Sequence, residues 1–243
     1  MDTTRKRNLV LVAIFFTVTL FAAHREGYLP LISTLFWIFL GSGFLLTIWL
    51  AWSASTPRLL SLILSIFMIE YLKESIGIAS GLWIYHGLQG HYNFGVWAWV
   101  LGGISVYTLS GKVVARLAKR IHFTPPSWWN AVIVLGLSLL MVATLGAYRA
   151  GAGAQFYGFY AAILMVCLYG STRMAFRRFA ILVVTAWVVG YLSEYAGSAD
   201  SGIWTYPHHP SGPPVYLIFG CWPLEITAQI TVSAFLANEP LDA

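Results

Sequence analysis

The sequence predicts an all-α, polytopic membrane helix bundle of about eight transmembrane helices, built from two parallel four-helix repeats. Three observations lead there. Only 9% of the 243 residues are charged and 58% are hydrophobic, whereas a soluble domain carries roughly 25% charged residues. Apolar segments follow one another with short breaks, so the chain reads as a single transmembrane domain over 1–243. The basic residues sit in short runs between alternate segments, as the positive-inside rule describes.

A span needs about 20 apolar residues, and eight are expected, at about 8–23, 29–52, 59–78, 93–111, 128–148, 155–172, 179–197 and 215–237. Arg5, Lys6 and Arg7 precede the first, and Arg58 lies between the second and third. Lys112, Arg116, Lys119 and Arg120 follow the fourth, and Arg173, Arg177 and Arg178 follow the sixth. With eight spans all of these fall on one side, leaving Arg25 and Arg149 on the other. The expectation is a multi-pass protein with cytoplasmic N- and C-termini and external loops at about 79–92 and 198–214. The basic, apolar N-terminus lacks a clean small-x-small cleavage site and reads as an uncleaved first helix. Trp52, Trp128 and Trp129 read as interfacial anchors.

The net charge of +5 follows from these loops; no nucleic-acid motif accompanies it. Cys167 and Cys221 lie inside apolar segments and read as small core residues. Walker, GxSxG, HExxH, GxGxxG and DDxxD patterns are absent. His24, His86, His91, His122, His208 and His209 fall in loops or at span ends, which disfavours haem. Convergence of His86, His91, His208 and His209 on an external metal stays a secondary possibility; no metal ligands are assigned.

Two stretches align. Tyr71-Leu72-Lys73-Glu74 matches Tyr191-Leu192-Ser193-Glu194. Gly81-Leu82-Trp83-Ile84-Tyr85 matches Gly202-Ile203-Trp204-Thr205-Tyr206. Phe94-Gly95-Val96-Trp97 matches Phe219-Gly220-Cys221-Trp222. The offset drifts through 120, 121 and 125, as small loop insertions would produce. The expected repeats are about 1–123 and 124–243, parallel because each holds an even number of spans.

Five of the nine acids fall within these stretches: Glu70, Glu74, Glu194, Asp200 and Glu225. At about 1.5 Å per residue, Glu74 and Glu194 lie roughly 22–24 Å from the basic ends of their helices and Glu225 about 15 Å below the opposite surface. An ionisable group at such depth is a functional-site hypothesis by default. Glu70, Lys73 and Glu74 share one helical face, so a purely structural arrangement, with Lys73 neutralising one acid, is the alternative there. Asp200 caps the turn at Ser201-Gly202 in the bland reading. Burial disfavours a charged carboxylate, and a protonated carboxyl group in an apolar cavity can act as an acid. Trp83, Tyr85, Trp97 and Trp99 in one copy, and Trp204, Tyr206, Phe219 and Trp222 in the other, gather near the acids. Aromatic faces stabilise a nearby cation by roughly 0.5–2 kcal/mol each.

These motifs resemble the membrane-embedded lycopene cyclase domain of the heterodimeric or fused type. That family shows an acid ahead of a Gly-x-Trp-x-aromatic block, and later Pro-x-Glu-Glu at the start of the next helix. Glu74 with Gly81–Tyr85, Glu194 with Gly202–Tyr206, and Pro223-Leu224-Glu225 resemble it. Glu stands for the usual Asp, Ile226 for the second Glu, and Ala98-Trp99-Val100 for Pro-x-Glu in the first copy. The resemblance implies a lycopene-cyclase-like isomerase of carotenoid or terpenoid biosynthesis. Proton-initiated, redox-neutral cyclisation or isomerisation needs no cofactor. Glu225 is then the expected proton donor. Glu74 and Glu194 stabilise the cation or remove the last proton. Trp83, Tyr85, Trp97, Trp204, Tyr206, Trp222 and Asp200 contact the substrate. The implied partners are a hydrophobic isoprenoid from the lipid phase and membrane lipids, not nucleic acid, with homo- or hetero-oligomers compatible. Two rivals stand beside this: a proton-coupled small-molecule transporter, for which a broken helix at Trp222-Pro223 would speak, and a non-catalytic lipid-binding subunit.

Overall fold

The structure is a computed structural model that describes residues 2–117, 125–147, 153–209 and 212–241. Lys119, Arg120, His122 and Arg149 lie outside the described residues.

Among the described residues the chain forms eight α-helices and one two-stranded ribbon. In order these are α1 (Thr3–Arg25), α2 (Thr34–Ser53), α3 (Thr56–Ala79), β1 (Ile84–Tyr85), α4 (Asn93–Leu117), α5 (Trp128–Ala147), α6 (Ala154–Ser171), α7 (Phe176–Glu194), β2 (Trp204–Thr205) and α8 (Trp222–Ala237). Seven helical segments are long and apolar enough to cross a membrane, which makes this a multi-pass membrane protein by composition. The exception is α3. It has 24 residues, but Arg58, Glu70, Lys73 and Glu74 lower its hydropathy. All four are buried inside the bundle, while Leu64, Met68 and Leu72 turn outward, so α3 keeps its polar side chains against protein and presents an apolar face on its other side.

Local sequence sets the helix starts. Asp2 accepts a hydrogen bond from Arg5 N at 2.8 Å, which extends α1 back through Arg5–Arg7, beyond the expected start at residue 8. Ser33 accepts from Phe36 N at 3.1 Å and Ser55 from Arg58 N at 3.2 Å; each satisfies a donor that a helix start leaves open. Two asparagines do the same for helix ends. Asn8 on α1, fully buried, donates from Nδ2 to the Ala51 and Ala54 carbonyls, both at 3.0 Å. Asn130 on α5 donates to the Ser171 and Met174 carbonyls at 2.8 and 2.9 Å. Carbonyls exposed at a helix end inside a bundle have no water to turn to, so a side-chain amide there removes a large cost.

The centre of the bundle is α3 against α8 and α4 against α7. α8 is enclosed on nearly every side, while α1, α2, α5 and α6 turn residues such as Ile14, Ile38, Leu139 and Met165 outward. Cys167 and Cys221 are free and buried. The connections after α3 and α7 meet as an antiparallel ribbon, Ile84 opposite Thr205 and Tyr85 opposite Trp204.

At Trp222-Pro223, the candidate break of the transporter reading, the helix changes from π to α register without being interrupted. A π-helical segment, Tyr216–Cys221, runs directly into α8, and Trp222 keeps helical dihedrals. Pro223 has no N–H for the Phe219 carbonyl in α-register; that carbonyl instead accepts the Trp187 indole N–H at 3.3 Å.

Candidate functional site

Glu74 lies just over a turn before the end of α3, Glu194 ends α7 ahead of a π-helical segment, and Glu225 lies in the first turn of α8. After α3 the chain turns at Gly81 with φ +68°, and after α7 at Gly202 with φ +64°. Both are left-handed conformations in which glycine carries no Cβ penalty. Leu82 N closes the first turn on the Gly77 carbonyl at 3.0 Å; Ile203 N closes the second on Gly197 at 2.8 Å. The second closure spans one residue more. A π-helical segment, Tyr195–Asp200, accommodates it, since a π turn is an α turn with one residue added. Each turn then folds an indole back over a glycine of its own helix: Trp83 over Gly77, Trp204 over Gly197.

The folded-back indoles reach the acids. Trp83 Nε1 donates to Glu74 Oε2 at 2.7 Å. Trp204 Nε1 donates to Glu194 Oε2 at 3.2 Å, the Tyr206 hydroxyl donates to the same oxygen, and Trp222 Nε1 donates to Oε1 at 3.0 Å. All of Glu194's partners are donors, so it accepts at both oxygens.

Lys73 joins the acids across the bundle. Its Nζ lies 2.5 Å from Glu70 Oε2, 3.3 Å from Glu74 Oε1 and 3.6 Å from Glu225 Oε2. It also stands 5.2 Å from the Trp99 ring centre, within cation–π range. Gln229, one turn beyond Glu225, donates from Nε2 to Glu70 Oε1 at 2.6 Å. Tyr160 on α6 donates its hydroxyl to Glu225 Oε1. Glu70, Lys73, Glu74, Glu194 and Glu225 are all at most 4% exposed.

Lys73, Glu74, Glu194, Trp83, Trp99 and Trp204 border a small cavity, along with Tyr85 and Tyr206. It leaves about 10 Å³ to a water-sized sphere, room for about one water molecule. Trp99 packs edge-on against Trp204 at 5.0 Å and Trp222 at 5.5 Å. Burial pushes the phenols of Tyr85 and Tyr206, on the connecting ribbon and loop, well above the ordinary tyrosine range, with nearby carboxyl groups adding to it. Both stay neutral O–H donors.

The structure therefore brings together Glu74, Glu194, Glu225, Trp83, Tyr85, Trp204, Tyr206 and Trp222 from the expected set. It does not bring in two others. Trp97 is half-buried and packs on Phe67 and Phe15, with ring centres 4.6 and 5.5 Å away, on the side of α4 away from the acids. Trp99, two residues on, faces them instead, because a helix turns through roughly 200° over two residues. Asp200 is exposed at the end of the π segment, and the turn beside it is fastened by Ser201 Oγ to Ser33 Oγ at 2.8 Å. Tyr160 and Gln229 carried no signal in the sequence. The loop histidines His86 and His91 have other partners: His86 pairs with Thr205 Oγ1 at 2.8 Å and His91 with Gln89 at 3.2 Å. Among the described residues no group of three or more acidic, histidine or cysteine side chains is placed to hold a metal ion.

Fold and site together define a multi-pass α-helical membrane protein with a buried lysine–carboxylate centre. No family model, curated protein or solved structure matches the chain.

Proposed function

We propose that the chain is a membrane-embedded enzyme that moves protons on an isoprenoid, in a lycopene-cyclase-like, redox-neutral cyclisation or isomerisation. The observation that carries this reading is the gathering of Glu74, Glu194 and Lys73 around a small space bordered by indole rings, with Glu225 paired to Lys73 behind it. One ammonium group faces four carboxyl groups, counting Glu70. Such a centre favours the arrival of positive charge, either as protons on the carboxyl groups or as a cation in the cavity. The Trp99 and Trp204 rings add their quadrupoles. A carbocation made by protonating a C=C bond is a cation of that kind, and a space with room for about one water molecule keeps bulk water from quenching it.

The roles differ from those the sequence suggested. Glu74 and Glu194 border the cavity and take the part that meets substrate. Glu225 stands behind Lys73 and beside Tyr160, so it supplies protons through Lys73 rather than touching the substrate. The cavity as it stands is far smaller than an isoprenoid, so the reaction requires the indole wall to part. The transporter reading loses its specific support, since α8 runs unbroken past Trp222-Pro223.

The reading includes a duplication, at about 1–123 and 124–243. Equivalent asparagine caps, glycine turns and indole–acid bonds in the two halves support it. It also includes an orientation with the ends of α4 and α6 in the cytoplasm, supported by the basic residues there.

The test is expression in cells that make linear carotenoids and prenylated precursors, with the lipid extract compared with that of a Glu225→Gln strain. A new isomeric product, reduced about 10²–10⁴-fold in the variant, supports the reading. Unchanged extracts across a broad substrate panel refute it.

A further inference from the structure

Two cavities lie along α2, α4 and α7, with Leu46 of one a turn from Trp49 of the other on α2 and Leu109 beside Thr108 on α4, so that they succeed one another as a crevice. The inner cavity is apolar, about 200 Å³, and is bordered by Leu35, Phe39, Leu46, Leu109, Val189 and Leu192. Towards the basic end of the bundle the same three helices border a second cavity, of about 440 Å³, that carries Trp49, Tyr107, Thr108, Lys112 and Arg178 and no acidic side chain. The crevice therefore changes character along its length, from hydrocarbon to cationic.

Its polar end is built to receive an acceptor. Thr108 is 6% exposed, and its hydroxyl has no hydrogen-bond partner. Lys112 lies 4.6 Å from the Trp49 ring centre and pairs with no carboxylate among the described residues. Arg58, 3% exposed, donates to the Tyr107 hydroxyl from Nε at 3.4 Å and Nη2 at 3.3 Å, which leaves the phenol's own proton to point elsewhere. Its Nη1 is also without a hydrogen-bond partner. Buried polar groups without partners are rare enough to call for a ligand or ion; Arg58 has Glu239 Oε2 at 3.9 Å, so the groups left to a ligand in the cavity are the Thr108 and Tyr107 hydroxyls and the Lys112 ammonium.

We propose that this crevice binds an amphiphilic lipid with one phosphate-type anionic head. The head sits among Lys112, Arg178, Thr108 and Tyr107, and the chain lies along Phe39, Leu46 and Val189. A phosphate accepts several charge-assisted hydrogen bonds at once, and basic pockets between helices at a membrane surface suit it. The inner end of the crevice stops close to the acid centre. A Cβ at Gly102 would meet Trp222 at 3.1 Å and Phe39 at 3.5 Å, so these two rings converge at one glycine, and Trp222 is bonded to Glu194. Gly102 is ten residues from Lys112 on α4, about 15 Å along the axis. A chain of that reach places its far end one side-chain layer from Glu194.

Binding can be tested without turnover. Purified chain in neutral detergent is titrated with dodecyl phosphate, dodecanol or inorganic phosphate, with thermal unfolding as the readout. Dodecyl phosphate should bind at least tenfold more tightly than dodecanol, and inorganic phosphate should not saturate. Lys112→Glu should weaken dodecyl phosphate at least tenfold and leave dodecanol unchanged. Ser42→Phe, at an exposed position bordering the apolar part, should weaken both chains. Glu225→Gln should bind normally, which separates this site from the catalytic reading. Equal binding of the two chains would reduce the crevice to an apolar groove. Saturable inorganic phosphate of similar affinity would make it a free-anion site, and an unchanged Lys112→Glu would remove the head site. Each of these results overturns the proposal.

Discussion

Lys73 on α3 places its Nζ 3.6 Å from Glu225 Oε2 on α8, and both side chains are at most 2% exposed. The lysine is thus the junction between the acids of α3 and that of α8. Removing the one cation of this buried cluster leaves its carboxylates uncompensated, at a cost of about 3–5 kcal/mol, whereas removing one carboxylate leaves Lys73 two others. Lys73→Met should therefore lower the midpoint of unfolding in detergent severely. The double variant Lys73→Met/Glu70→Gln should recover part of the loss, because it removes the carboxylate bound most closely, at 2.5 Å. A double variant no more stable than the single one would show that Glu70 carries no uncompensated charge once Lys73 is gone, its remaining bond being that from Gln229.

Gly77 and Gly197 are predicted to refuse alanine. A Cβ at either would penetrate the indole of Trp83 or Trp204, and each indole is pinned by its bond to Glu74 or Glu194. Overpacking of this kind costs about 1–3 kcal/mol. Gly136 on α5 has open space where its Cβ would stand, so Gly136→Ala should be neutral or stabilise by up to about 1 kcal/mol. Thermal unfolding of the three variants, with tryptophan emission as a second readout, checks this. Equal behaviour of all three would mean that the indoles do not lie where the structure puts them.

Much of this was legible in the sequence because lipid imposes simple rules. Hydropathy located the helices, with ends such as 8, 29 and 111 lying five or six residues from Thr3, Thr34 and Leu117, and the paired Glu…Gly-x-Trp-x-Tyr blocks marked two of the acids and the indoles that bind them. What failed did so for identifiable reasons. Trp97 and Trp99 both stand near the motif in sequence, and only the phase of α4 decides which one faces inward. Asp200 is two residues from a buried serine, but the π segment turns it outward. Tyr160 sits in a helix with no acid or motif, and its contact with Glu225 spans 65 residues of chain. The closeness of the packing was also hidden: residue types suggested an apolar hollow, whereas the indole N–H groups close on the carboxyl groups and leave space for one water.

Asn8→Ala and Asn130→Ala should both destabilise, to different extents. Each strips two buried helix-end carbonyls of their donor, at about 1–3 kcal/mol per unsatisfied group. Asn8 Oδ1 also accepts from Thr56 Oγ1 at 2.6 Å, whereas Asn130 Oδ1 has no hydrogen-bond partner. Asn8→Ala should therefore be the more damaging. Denaturant midpoints decide it; a larger loss at Asn130 would contradict the difference in partners.

The loop carrying His209 should weaken in mild acid. Burial, aided by the neighbouring His208, lowers the His209 pKa from its ordinary 6.5. The unfolded chain then takes up the proton more readily than the folded one. The contribution of His209 is present above about pH 6.5 and is lost as pH falls through and below that value. Hydrogen exchange around residues 203–209, followed from pH 7.5 to 5, should show earlier opening at low pH, and His209→Gln should flatten the trend. A loop whose opening is independent of pH would refute the burial of the imidazole.

Glu194→Gln and Glu225→Gln should part company. Glu194 accepts at both oxygens, from Trp222 on one and from Trp204 and Tyr206 on the other. A glutamine would turn its NH₂ toward one of these donors whichever way it faced, at about 1–3 kcal/mol. Glu225 faces Lys73 with one oxygen and the Tyr160 hydroxyl with the other. There the amide oxygen can keep Lys73 while the NH₂ donates to the tyrosine oxygen, whose own proton rotates away. Glu225→Gln should unfold near the wild-type midpoint and Glu194→Gln well below it. The first is then the variant in which lost turnover can be read as lost chemistry; if the midpoints fall in the opposite order, the donor pattern around Glu194 has been misassigned.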